Sequence, residues 1–212
     1  MKVRIELCVT ALATISLLTG ARPAAAQRSE TTFELEPQEN VEACLSPYGQ
    51  TPSAQVIVQR GGLNDTLILQ VHHLIPHLAF DLFTIQNSNL LAEGTVDPNF
   101  KNFGLAWYQA DVEADSNGEA EVSVKSILLD QIFGFDPAAS LLPTHTFHVG
   151  LWFNKPADAQ PCGFDPTKPT PFNGEQKAGP NAFISLPNPS TKLGPLCTNP
   201  QLVGGVYVCG TD

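Results

Sequence analysis

The chain has 212 residues, with 21 acidic against 11 basic side chains and a formal net charge of −10. Such a surface repels phosphate, so nucleic acid and anionic lipid, both held largely by lysine and arginine, are poor partners for it. The sign mainly favours solubility.

Residues 1–26 read as an export signal. Lys2 and Arg4 open it, Leu7 to Gly20 form an apolar stretch, and Ala24-Ala25-Ala26 offers small residues for a cleavage that leaves Gln27 first. A permanent membrane helix takes about 20 apolar residues, and neither this stretch nor any later one reaches that, so no integral membrane segment is expected after processing. Cys8 lies inside the apolar stretch and not just after it, so no lipid anchor is expected. Cleavage removes three cations and one anion, leaving 8 against 20, a balance of −12. The expected address is secreted, extracellular or periplasmic.

Cys44, Cys162, Cys197 and Cys209 remain, and an even count in an exported chain argues for two disulfides. Four cysteines allow three pairings. The short separation favours Cys197 with Cys209, leaving Cys44 with Cys162, while the missing C-x-x-C spacing disfavours a zinc site. Residues 27–53 read as a polar N-terminal extension, 54–185 as the folded domain, and 186–212 as a Pro- and Gly-rich segment tied down by cysteines.

Period-two alternation recurs through the middle, and helical periodicity is nearly absent. Val56 and Val58 alternate with Ile57 and Gln59, and the turn from Arg60 to Asp65 leads into Thr66 to Leu74, a hairpin candidate. Leu78 to Gln86 fits a further strand, followed by a long loop to about Lys101. Phe103 to Ala114 and Glu119 to Leu129 are joined by Asp115-Ser116-Asn117-Gly118, and Asn-Gly supplies the positive φ angles of a tight hairpin. After a loop holding Pro137 and Pro143, Thr144 to Asn154 alternates again. Asn181 to Ser185 and Val206 to Cys209 complete the set. Seven or eight short strands with hardly a helix predict an all-β, antiparallel two-sheet sandwich, immunoglobulin-like or Greek-key, with a jelly roll or small barrel as the alternative.

The candidate site residues come from departures within this pattern. Phe147, Val149, Leu151 and Phe153 form one apolar face, leaving His148, Gly150, Trp152 and Asn154 on the other. Trp152 on a polar face suits a stacking floor for a sugar ring or an aromatic side chain; the bland reading covers it with a loop such as Thr170 to Gly179. Asp81 beside aromatic residues, His148 and Glu175 complete the tentative binding set. His72, His73, His77, His145 and His148 attract a metal reading, but strand geometry points His145 and His148 to opposite faces, as it does His72 and His73. Oxygens at every second position from Asp111 to Glu119 invite weak calcium binding, although the twelfth position of that frame is Val124 where a bidentate Glu belongs. Asn64-Asp65-Thr66 is a glycosylation sequon, of consequence in a eukaryotic host. No G-x-S-x-G, H-E-x-x-H or phosphate-binding glycine loop occurs.

Two resemblances follow. His145-Thr146-Phe147-His148-Val149-Gly150 resembles the copper-binding strand of copper/zinc superoxide dismutases, also Greek-key sandwiches, but Gly150 replaces one of two alternating histidine ligands and the activity is not carried over. The segments Phe80 to Phe83, Gly104 to Asp111, Phe147 to Asn154 and Thr170 to Gln176 together resemble a group of uncharacterised exported bacterial proteins. That resemblance implies secretion and a sandwich, and transfers no functional residue.

The functional expectation is a non-enzymatic binding or surface-interaction module for a protein or glycan, without a cofactor. The alternative is a hydrolase or metal-dependent enzyme whose histidines and carboxylates come from several strands. Convergence of His145 or His148 with His73 or His77, or of Asp81 with Glu175, is what that alternative requires.

Overall fold

A computed structural model describes residues 29–210 except 48, 127, 130–132, 137, 139–140 and 168–178. Residues 1–26, read above as an export signal, and Glu175 therefore lie outside the described residues. The strands are β1 (Glu30–Pro37), β2 (Ser53–Gln59), β3 (Asp65–His72), β4 (Ala79–Ile85), β5 (Ala106–Glu113), β6 (Ala120–Ser126), β7 (Phe133–Asp136), β8 (Leu141–His145), β9 (His148–Phe153), β10 (Asn181–Ser185), β11 (Pro200–Val203) and β12 (Val206–Cys209). The protein is all-β and antiparallel, with two short 3-10 turns at Glu42–Cys44 and Pro156–Cys162.

Alternation builds the main sheet. Ala54, Val56 and Val58 of β2 and Leu67, Leu69 and Val71 of β3 are all buried, with intermediate or exposed residues between them. Each such Val or Leu contributes roughly 1.5–3 kcal/mol on leaving water, enough to fix the register against a one-residue slip that would turn the whole set outward. Eight strands form one continuous ladder in the order β5-β4-β9-β10-β1-β2-β3-β6. Its two edge strands, β5 and β6, lie against each other without a shared ladder, so the sheet is nearly closed. The inner face packs Phe80 against Phe153 and Phe183, with ring centroids 5.4 and 6.2 Å apart.

Several expectations change here. The sheet begins at β1, which lies between β10 and β2, so residues 30–37 are a strand of the main sheet, with Leu35 buried, and not part of an extension ending at residue 53. The alternation Glu-Thr-Thr-Phe-Glu-Leu was legible there, but its charges gave it a polar reading. Asp115 to Gly118 does reverse the chain, with the Asp115 N–H donating to the Glu119 carbonyl at 2.8 Å. Its arms do not zip together. β5 pairs with β4 and β6 with β3, because those neighbours offer matching apolar faces, Val112 beside Phe80 and Val124 beside Leu67. Gly118, at φ 80, is pinned at this seam: a Cβ there would lie 2.1 Å from the Leu74 carbonyl oxygen. Thr144 to Asn154 is not one strand either, since β8 ends at His145 and pairs with β7 in a separate ladder, while β9 starts at His148.

Both ends of the sheet are tied. At one, the disulfide Cys44–Cys162 joins the two 3-10 turns, which add Val41, Leu45 and Ala159 to the core. At the other, the buried Asp65 carboxylate accepts from the backbone N–H groups of Leu128 and Leu129, both at 2.9 Å, and of Gly61 at 3.2 Å. The second disulfide, Cys197–Cys209, anchors β12 and its hairpin partner β11.

Candidate functional site: a cleft beside His148

The outer face of β9 carries His148, Gly150 and Trp152, with Val149, Leu151 and Phe153 on the inner face. Trp152 is fully buried, which overturns its reading as an open stacking floor. Its ring crosses Gly150, where an added Cβ would come within 2.7 Å of Cζ3. Phe83 and Phe103 meet it edge-on at 5.5 and 5.1 Å, and Phe100 packs on Phe103 at 4.7 Å. The cover is the long loop 86–105, pinned by the Gln86 and Asn87 N–H groups donating to the Leu105 and Phe103 carbonyls. Most of the covering segment expected from the sequence, 170–178, lies outside the described residues.

His148 is 2% exposed. Its Nδ1 lies 3.0 Å from both the carbonyl oxygen and the Oγ of Ser185, and the same Oγ accepts from the Val149 N–H at 3.1 Å. A carbonyl only accepts, so the ring proton belongs on Nδ1 and Nε2 is the acceptor. Burial pushes the imidazole down to about 4, against a smaller upward pull from Ser185, and the ring is neutral at pH 7. The chain around Gly194 seals one side: a Cβ there would stand 2.2 Å from the Phe147 carbonyl oxygen, and the Leu196 N–H donates to that oxygen at 3.0 Å.

Between loop 86–102 and segment 187–193 a cleft of about 510 Å³ opens beside His148. Phe100, Phe147, Leu90 and Leu193 give it apolar surface, and Gln86, Asn87, Asn99 and Asn102 line it with amides. The charged lining is Asp97, Lys101 and Lys192, the lysines being two of the five lysines and arginines among the described residues of an acidic chain. Lys192 is held at φ 64, a left-handed conformation that a lysine rarely adopts. The turn that holds it is built on Asn188, whose Oδ1 accepts from the Ser190 and Thr191 N–H groups, while the Lys192 N–H donates to the Asn188 carbonyl at 2.8 Å. Strain of this kind persists where the surroundings over-determine it, and functional loops are where it collects.

The other predicted residues do not join this cleft. Asp81 shares the outer face, but it pairs across the sheet with Trp152, whereas His148 pairs with Ile85, four residues and about 13 Å further along β4. Asp81 accepts from Asn154 Nδ2 at 2.7 Å. Burial raises its pKa, Asn154 opposes that, and the charge of Asp111 and a hydrogen bond with it add to the rise. Half-exposed Tyr108 joins the same group, its phenol pushed up to about 12 by desolvation, by its hydrogen bond to Asp111 and by the charges of Asp111 and Asp81. His73 and His77 sit in the β3–β4 connection, and His148 lies at the far end of β4, so His148 does not converge with them, while a meeting of Asp81 with Glu175 falls outside the described residues. His72 lies 3.7 Å from Glu119 and His77 3.6 Å from Glu113. No group of three metal-ligating side chains exists among the described residues. In the calcium frame, the Asp115 carboxylate accepts from the N–H groups of Glu119 and Asn117, and these backbone bonds lower its pKa.

Sequence reasoning missed Lys101, Lys192 and the amides. The available signal was the concentration of Asn in one long loop, at 87, 89, 99 and 102. It also chose the wrong tryptophan, since Trp107 on edge strand β5 is the half-exposed one. Comparison with protein-family models, with curated proteins and with solved structures finds no match to this chain.

Proposed function

We propose that this chain is an exported, non-catalytic binding module that holds a hydroxyl-rich, carboxylate-bearing ligand, an acidic glycan, in the cleft beside His148. The observation that carries the reading is a neutral, buried imidazole next to amides, phenylalanines and two lysines that outnumber the one carboxylate of the cleft, Asp97. A neutral Nε2 accepts from a hydroxyl, amides donate and accept, the Phe faces suit the apolar side of a sugar ring, and lysines answer a carboxylate. Export is supported by the N-terminal pattern, the two disulfides and the resemblance to exported bacterial proteins. For the fold, we read a small, flattened antiparallel barrel in preference to the immunoglobulin-like sandwich, because one ladder runs through all eight strands.

The contact of His148 with Ser185 invites the hydrolase alternative. Ser185 is buried and, unlike His148, does not line the cleft, and its Oγ already accepts a backbone hydrogen bond, so a substrate carbonyl has no approach to it. The test is a glycan panel of neutral and uronic-acid oligosaccharides. Binding is expected for the acidic members, with Lys101→Glu/Lys192→Glu weakening it at least tenfold and sparing neutral sugars. No binding across the panel, or labelling of Ser185 by a fluorophosphonate, would overturn the reading.

A further inference from the structure

The β11–β12 hairpin carries five of the ten exposed large hydrophobic side chains among the described residues, none of them in the cleft. Its strands pair Leu202 with Tyr207 and Val203 with Val206 across a Gly204-Gly205 turn, in which both glycines have positive φ. Cross-strand partners share a face, so Leu202 and Tyr207 cover one side and Val203, Val206 and Val208 the other. All five are exposed, from 37% at Tyr207 to 65% at Val206. From Leu193 to Thr211 the chain has no charged residue, in a protein of net charge −10. The base is stapled by Cys197–Cys209 and by the Gly210 N–H donating to the Asn199 carbonyl at 2.8 Å. A stiff, uncharged ribbon that is apolar on both faces is a liability in water unless something covers it.

Size and symmetry of the apolar surface decide what covers it. Four residues per strand make a ribbon about 13 Å long and about 10 Å wide. A second copy of this chain covers one face only, and so small a face falls far short of the roughly 1,200 Å² that a stable dimer buries. Lipid surrounds both faces and the tip at once. We propose that this hairpin is a shallow lipid-contacting wedge that enters the interface of an uncharged, zwitterionic bilayer. The outer backbone edges of a two-stranded ribbon are unpaired, so it stays at the headgroup level and does not cross, with the Tyr207 phenol among the headgroups. The acidic body of the protein disfavours anionic lipid.

The test uses the full chain carrying Tyr207→Trp, mixed with phosphatidylcholine vesicles brominated on the acyl chains, with emission of Trp107 and Trp152 subtracted using the parent chain. The reporter is local, so an N-terminal apolar stretch does not mimic the result. Quenching is expected at position 207. Adding Val203→Asp/Val206→Asp is expected to reduce it at least tenfold with no change in melting temperature, since both positions point to solvent, and phosphatidylglycerol vesicles are expected to quench less. Absence of quenching, or quenching that survives the double substitution, overturns the proposal. A concentration-dependent dimer that the same substitutions dissolve also overturns it, and assigns the hairpin to self-association.

Discussion

Acidification acts on His148 with a sign and a size set by the structure. In the unfolded chain its pKa returns to about 6.5, whereas in the folded protein burial holds it at about 4. Between those values the unfolded state binds the extra proton, so stability is complete above pH 6.5 and is lost as pH falls toward 4. A gap of about 2.5 units at 1.36 kcal/mol each is worth about 3 kcal/mol, of which about 2.5 kcal/mol is gone by pH 4.5. For a domain of this length that is a drop of roughly 5–10 °C in melting temperature. Other groups titrate in the same range, so the assay is a comparison: thermal melts from pH 7.5 to 4.5 for the parent chain and for His148→Asn. The Asn amide can keep the hydrogen bond from Nδ1 to the Ser185 carbonyl, but it carries no ionisable proton. The variant is expected to be less stable at pH 7.5 by roughly 1–2 kcal/mol, from lost packing, and equal to or better than the parent at pH 4.5. Parallel pH profiles for the two proteins would refute the reasoning.

Other substitutions test other parts of the structure. Asp81→Asn keeps an acceptor for Asn154 and removes a carboxyl whose pKa burial raises; it is expected to increase stability at pH 7, read from urea midpoints, and to lose that advantage as pH falls through the native pKa. Gly150→Ala forces the Trp152 ring off its seat, with an expected loss of about 1–3 kcal/mol and a red-shifted tryptophan emission; unchanged emission would contradict the packing. Replacing Cys44 and Cys162 by Ser opens a loop of 118 residues, which loop-closure entropy values at about 5 kcal/mol, and is expected to lower the melting temperature strongly. Replacing Cys197 and Cys209 loosens only the peripheral hairpin, and the main transition is expected to stay in place.

Sequence made the local signals legible and left the distant ones hidden. The inner face Val149, Leu151 and Phe153 followed from period, and the chain reversal at Asn117-Gly118 from its glycine, the one residue of that pair with positive φ, although no hairpin forms there. The two strands flanking that turn were legible as well, but not their partners: β6 finds its ladder on β3, far away in the chain, and β5 on β4, beyond the long loop 86–105. Trp152 and His148 were placed on the correct face, but that face was assumed to meet water. Loop 86–105 and the chain around Gly194 cover it instead, and loop placement leaves almost no periodic signal. Two clues were present all the same. Gly150, two residues from Trp152 on one strand face, provides the space for an indole, and the Asn-rich stretch from 87 to 102 was too long for a bare connection.

In the proposed function, the cleft between loop 86–102 and segment 187–193 is where this protein meets its ligand. Chemical-shift mapping with an acidic oligosaccharide that the chain binds tests this most directly. The largest shifts are predicted at Asn87, Asn99, Lys101, Lys192 and the His148 ring, with Nε2 becoming hydrogen-bonded while Nδ1 keeps its proton. Shifts centred on Trp107 and Tyr108 of the edge strand, with the His148 ring unmoved, would contradict it.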